Sequence, residues 1–319
     1  MRTAFTTRSR AGLLLILGLA LPLISAGCTT ESADSSQDSA HQSAVDSLDQ
    51  RVDAEYLTSE LWNDGRAEVA FYRVERSRDT YGRANPQSFT VGTYVVKHRF
   101  SREEMSKVTD GSGVSAFKYA FFYEVESGSY QHKRNWVVNA RQQSLQPLKH
   151  SFTSFDWCSN RYRELAFGPE RVEMRMRSDD YGNERASFDV PPTAVPVALV
   201  PFLVRSLSFE DTQVHRFPLL HSDGSTTRVA ARLDGTEKIS TPAGTSEAER
   251  IRLTMDAPVP SMIAEETAGP ELYWRGVGPD RRLLRVSGEG YTMTLIEHLR
   301  TAYWQENIWP MLDRVEERP

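Results

Sequence analysis

The chain has 319 residues, 43 acidic against 38 basic side chains, and a formal net charge of −5. That length admits one large β domain or two smaller ones, and the mild acidity without a basic run argues against a nucleic-acid partner. Two cysteines, Cys28 and Cys158, are too few for a disulfide framework. At the N-terminus Arg2, Arg8 and Arg10 precede an almost wholly apolar stretch, Ala11 to Ala26, and no acidic residue occurs before Cys28. This is the plan of a secretory signal peptide. The stretch is shorter than the roughly 20 apolar residues a helix needs to cross a bilayer, and Gly18 and Pro22 interrupt it.

Ser25-Ala26-Gly27-Cys28 resembles the lipobox of bacterial lipoproteins, with Ser25 where the pattern prefers Leu. The resemblance implies that residues 1–27 are a signal peptide cleaved before Cys28. It also implies a diacylglyceryl group on the Cys28 sulfur and a third acyl chain on its amine. Several acyl chains hold a protein to a membrane firmly where a single one does so marginally. Thr29 in place of Asp after the cysteine implies the outer membrane, with the periplasmic or surface face left open. The alternative is cleavage after an Ala-x-Ala-like site, leaving Cys28 a free thiol. Cleavage before Cys28 removes three Arg and no acid, taking the net charge to −8. Residues 28–54 are rich in Ser, Asp, Gln and Ala, with few apolar side chains to offset ordering entropy, and read as a disordered tether. Residues 55–319 form the expected β-rich globular domain. With Cys28 lipidated, Cys158 has no partner for an intramolecular disulfide.

Period-2 alternation dominates the domain. Phe117, Tyr119, Phe121, Tyr123 and Val125 share one strand face; Val172, Met174 and Met176 alternate with Arg and Glu, as do Ile251, Leu253 and Met255 with Arg and Thr. These are half-buried antiparallel strands, whose charged faces read as solvated. Asp110-Gly111, Asp223-Gly224, Asp234-Gly235 and Pro242-Ala243-Gly244 read as turns. Two segments break the pattern. Pro196 to Leu207 is a compact apolar run in which Pro201 permits only a short helix, and Thr294 to Arg314 is expected to end in a short helix around Trp304 to Leu312. The expected fold is mainly β: a large twisted antiparallel sheet or open, curled β-barrel with one or two short helices.

Two stretches carry a family resemblance. Leu61-Trp62-Asn63-Asp64-Gly65-Arg66-Ala67-Glu68, with Tyr72, Arg76, Phe155-Asp156-Trp157-Cys158-Ser159 and Tyr162, resembles an uncharacterised family of exported bacterial lipoproteins. That family opens with Trp-x-Asp-Gly-Lys/Arg-Ala-Glu and has a later Glu-Trp-Cys-Gly core, where this chain has Asp156 and Ser159. Some members bear the label septum formation inhibitor Maf. That label looks misplaced, because the Ser-rich, Pro-Arg-Arg phosphate loop of Maf pyrophosphatases has no counterpart here. Gly235 to Thr245, Leu272-Tyr273-Trp274 and Pro279 to Leu283 are similar to a second exported β family of unknown function, whose sheets curl like those of periplasmic lipoprotein carriers. Neither resemblance implies an activity.

Few residues carry a recognisable chemistry. Cys158 with His150 upstream allows a Cys-His nucleophile, but a free cysteine beside Trp157 reads first as core packing. None of the seven histidines has metal-ligand spacing, and no zinc signature occurs. Nucleophile-elbow, phosphate-loop and dinucleotide motifs are missing. Asp179-Asp180 and Glu265-Glu266 read as loop charges. No metal, cofactor or catalytic residue is assigned, and the chain is expected not to be an enzyme. The row Phe117, Tyr119, Phe121 and Tyr123 is the candidate apolar binding face, because aromatics on the concave side of a curled sheet make a natural pocket. The expected function is a lipid-anchored envelope lipoprotein that binds a hydrophobic or glycan ligand. An assembly factor working by protein contacts stands second, and a hydrolase of envelope polymers or lipids third.

Overall fold

In a computed structural model, residues 51–308 are described except 81–82, 128–129, 170, 261 and 264–266. The signal peptide, Cys28 and most of the segment read as a tether lie outside the described residues. The end of that segment belongs to the domain instead. Arg51 and Val52 are buried, Val52 bridges to Leu207, and Asp53 caps helix α1 (Ala54–Thr58) by accepting the N–H of Tyr56 at 3.0 Å.

Among the described residues, period-2 patterning builds one 16-stranded sheet. The chain runs outward through β1 (Ala67–Thr80), β2 (Arg83–Ser101), the short β3 (Ser106–Val108) on β2, β4 (Val114–Ser127), β5 (Tyr130–Arg141) and β6 (Pro147–Phe155). It continues through β7 (Asn160–Phe167), β8 (Arg171–Ser178) and β9 (Gly182–Asp189). A crossover follows, holding β10 (Val195–Pro196), a 3-10 turn (Val197–Leu199) and helix α2 (Val200–Ser206). The second meander is β11 (Val214–Leu220), β12 (Thr226–Thr241) and β13 (Gly244–Met255). After a separate ladder of β14 (Val259–Pro260) and β15 (Thr267–Ala268) it resumes in β16 (Glu271–Gly276), β17 (Leu283–Gly288) and β18 (Tyr291–Thr301). β18 pairs with β1 from Ala67↔Thr301 to Arg76↔Tyr291, so the first and last strands lie mid-sheet and a meander spreads to each side. Every ladder of the large sheet is antiparallel except the short β10–β11 pair.

The sheet curls without closing into a barrel. Its two ends meet through side chains rather than backbone: Leu165, Val172 and Met174 of β7 and β8 pack with Val190, Ala194 and Leu220. Gly224 lies under the Phe188 ring of β9 with φ +87°, and a Cβ there would stand 2.3 Å from that ring. Only glycine satisfies both demands.

The crossover plugs the inside of the curl. Every residue of α2 is buried, and Pro201 sits in its first turn, where a missing N–H costs nothing. Phe202 is the centre: its ring is 5.2 Å from Phe117, 5.6 Å from Trp62 and 5.8 Å from a stacked Tyr119. Burying such a side chain contributes roughly 1.5–3 kcal/mol. At the end of α2 the guanidinium of Arg205 donates to both Glu68 carboxylate oxygens at 2.5 and 2.8 Å, and to the carbonyls of Arg281 and Asp280 at 2.9 and 2.8 Å. Burial alone would raise the Glu68 carboxyl, but Arg205, with His298 Nε2 3.2 Å away, holds it far below the usual carboxylate range. Trp62 and Glu68 of one sequence motif and Asp280-Arg281 of the other thus converge on one buried clamp around α2.

Two expectations fail locally. Asp234-Gly235 is not a turn but a bulge within β12, where the register shifts against β13 and Asp234 Oδ2 accepts from Arg252 Nε at 2.8 Å. Thr294 to Thr301 continues as β18, and Trp304 to Ile308 contains turn and bend rather than helix; residues 309–312 lie outside the described residues. The second short helix is α1.

Candidate functional site

The aromatic row of β4 continues across the concave face in register. Phe121 pairs with Trp136 of β5, Trp136 with Phe152 of β6, and Phe152 with Arg163 of β7. One layer toward the crossover lie Val138, His150 and Leu165; one layer toward the β6–β7 hairpin tip lie Arg134, Ser154 and Arg161. The 3-10 turn, the end of β11 and Met262 face these strands across a pocket of about 330 Å³. The pocket floor therefore runs from His150 through Trp136, Phe152 and Arg163 to Arg134, Ser154 and Arg161.

Aromatic packing sets its floor. The Trp136 and Phe152 rings lie 5.0 Å apart, and the Arg163 guanidinium stands 5.5 Å over Phe152. Arg161 stacks 4.3 Å over Tyr181, and Arg134 donates to the Tyr123 hydroxyl at 3.3 Å. His221 Nε2 is 2.8 Å from Thr227 Oγ1.

Within the pocket, His150 has both ring nitrogens buried. It is 7% exposed, and neither ring nitrogen has a hydrogen-bond partner among the described residues. Burial first, and the Arg163 charge second, push its imidazole down to about 3, so the ring is neutral at neutral pH. The Nε atoms of Arg161 and Arg163 and the Ser159 hydroxyl are likewise buried and unpartnered. Burial and then the charge of Arg161 depress the Arg163 guanidinium; Asp223 and Glu184 oppose this from a distance, and no ion pair to Arg163 forms among the described residues.

Phe117, Tyr119, Phe121 and Tyr123, the row expected to face a ligand, are buried by the chain's own elements. Phe202 covers the first two, and the Tyr123 hydroxyl donates to the Met262 carbonyl at 3.3 Å. Phe121 borders only a small void of about 30 Å³, shared with Glu271, Tyr273 and Tyr291. There the carboxylate of Glu271 accepts from the Tyr273 hydroxyl at 2.6 Å and from the Tyr291 hydroxyl. Burial raises its carboxyl above the usual range despite both hydrogen bonds.

The Trp157-Cys158 pair does not fill the core. Trp157 is 77% exposed and Cys158 is exposed, because Asp156 Oδ1 accepts the N–H groups of Cys158 and Ser159 and turns the chain outward. Phe155, Tyr162 and Tyr181 are also exposed near this end of the sheet. On the convex face a groove of about 1150 Å³ runs over Gly92, Tyr94 and Phe122. It is larger than the concave pocket; of its charges Lys133 and Glu124 pair with each other at 2.7 Å, Arg134 donates to the Tyr123 hydroxyl, and Glu126 is exposed.

Among the described residues no group of three or more His, Cys, Asp and Glu is placed to hold a metal ion. No described helix is long and apolar enough to cross a membrane. No functionally curated protein matches the chain. A solved structure, "a putative lipoprotein from Parabacteroides distasonis ATCC 8503", aligns over 72% of this chain and 95% of its own at 12% identity, with a TM-score of 0.22. A family model, "Protein of unknown function (DUF3108)", matches residues 72–274, from β1 to β16 and including the whole concave pocket floor. The chain belongs to this family of unknown function.

Proposed function

We propose that this protein is a lipid-anchored envelope lipoprotein whose β domain is a non-catalytic binding module, with its ligand seated in the concave pocket. The observation that carries the reading is the pocket floor. Trp136 and Phe152 offer apolar and aromatic surface, while His150, Arg161 and Arg163 bring buried nitrogens without hydrogen-bond partners among the described residues. Buried polar groups without partners are costly, so their retention in a pocket fits contact with a ligand. A hydrophobic or glycan ligand suits this lining, since aromatic faces pack against sugars and alkyl chains alike. The leader and Cys28 support lipid anchoring, and Thr29 after the cysteine supports the outer membrane.

Native mass spectrometry of the protein purified from its host envelope tests the binding reading. A bound mass lost on replacing Trp136 and Phe152 by Ala is expected; a clean apo mass for the unaltered protein argues against it. Labelling with a fatty-acid precursor, with and without Cys28→Ala, tests the anchor: label retained in the variant excludes it. The exposed Trp157 and Tyr181 favour a second reading, an assembly factor that docks a protein at this end of the sheet. In-cell crosslinking from position 157 would then trap one defined neighbour, whereas a diffuse set of products would oppose it.

A further inference from the structure

The cationic layer narrows the class of ligand. Arg161 and Arg163 lie side by side on the inner face of β7, and neither guanidinium has a hydrogen bond or ion pair to the described residues. Apart from Asp180, the acids nearest them are engaged or remote. Asp156 accepts from Cys158, Ser159 and His132, Asp223 accepts from Ser225, and Glu184 acts on Arg163 only from beyond ion-pair distance. Asp180 is an exposed residue at the rim. Two like charges held together in a half-buried site repel each other, and an anion between them relieves that repulsion. His150, one layer deeper, is more than nine-tenths buried and borders the same pocket with both nitrogens unpartnered. A neutral imidazole there supplies one N–H donor and one acceptor. In the same layer as Arg163, Trp136 and Phe152, with Val197 and Met262 across from them, give the pocket an apolar wall.

We propose that the pocket takes an anionic amphiphile, a compound whose phosphate or carboxylate sits between Arg161 and Arg163 and whose apolar body lies against Trp136 and Phe152. This rests on the binding reading above and deepens it. The acid group faces the β6–β7 hairpin end, and the apolar body points toward the 3-10 turn. Arginine suits this role because its planar fork matches phosphate and carboxylate oxygens and stacks on aromatic rings at the same time.

The test uses a soluble form from Val45 to Pro319. The described core and every described strand pairing lie inside it, so it contains the elements that hold the domain together. Isothermal titration with three probes, monooctyl phosphate, octyl glucoside and inorganic phosphate, separates the contributions. Monooctyl phosphate is expected to bind at least tenfold more tightly than either of the others, with the preference shrinking as salt is raised. Arg161→Gln with Arg163→Gln should bring monooctyl phosphate to the level of octyl glucoside. Arg175→Gln, which removes the same kind of charge from the outer face of β8, should leave the preference intact. Thermal unfolding of each variant confirms that it is folded before its binding is read. Equal binding of the two octyl probes overturns the anionic inference and leaves the binding reading standing. Inorganic phosphate binding as tightly as monooctyl phosphate overturns the amphiphile, and binding of none of the three overturns both readings.

Discussion

Replacing His150 by Leu should stabilise the unliganded domain, and by more at acid pH than at alkaline pH. The imidazole is depressed from 6.5 to about 3 in the folded state, so between those values the unfolded chain binds the proton and the folded one resists it. The contribution is complete above pH 6.5 and is lost as pH falls through that window. At pH 5 the wild type has given up about 2 kcal/mol relative to pH 8, taking 1.36 kcal/mol per unit. The Leu variant carries no such penalty. It also removes two buried nitrogens without partners, each such group costing about 1–3 kcal/mol where it is fully desolvated. Urea unfolding of both proteins at pH 8 and pH 5 reads the effect. Other groups, Glu68 among them, titrate in both proteins and cancel in the comparison. The stability gap between variant and wild type should widen by about 2 kcal/mol on acidification. A gap of constant size would refute the claim that this imidazole is buried, neutral and unpartnered.

Phe202→Ala should cost about 3–5 kcal/mol in denaturant unfolding, since it empties the centre of the Phe117, Tyr119 and Trp62 cluster; a loss below about 1 kcal/mol would mean that α2 is not the plug described. Arg205→Met should cost about 3–5 kcal/mol because it strands the Glu68 carboxylate, and adding Glu68→Gln should recover much of that loss. Additive losses in the double variant would show that the two side chains do not act as a pair. Glu271 behaves oppositely to Glu68: its raised carboxyl favours the protonated folded state, with stability present below pH 4.5 and lost as pH rises. Glu271→Gln should therefore gain melting temperature over the wild type between pH 4 and pH 8, and an unchanging difference would contradict that environment.

The sheet was legible because strand alternation leaves a period that survives in one sequence. Phe117 to Val125, Val172 to Met176 and Ile251 to Met255 all place their apolar residues on the concave side. The short helix was legible from the Pro196 to Leu207 run, and Pro201 marks its first turn rather than breaking it. The concave pocket was harder to see. Arg161 and Arg163 resemble the solvated arginines of β8, and only their phase with Leu165 and Phe167 places them on the inner face. Asp156 and Ser159, both turn formers, were the signal that Trp157 and Cys158 stand outside the core. That the β4 aromatics meet α2 depends on contacts between residues about 80 positions apart, such as Phe117 with Phe202, which no local pattern encodes. The same holds for Glu68 and Arg205, conspicuous as charges but readable as a buried pair only once β1 and α2 are side by side.

On the reading proposed above, the protein binds its ligand in the concave pocket between β5–β7 and the 3-10 turn. A crystal structure of the domain soaked with monooctyl phosphate tests it most directly. The phosphate should lie between Arg161 and Arg163, with the alkyl chain against Trp136 and Phe152. A probe seated in the convex groove over Tyr94 and Phe122, with the concave pocket empty, would contradict it.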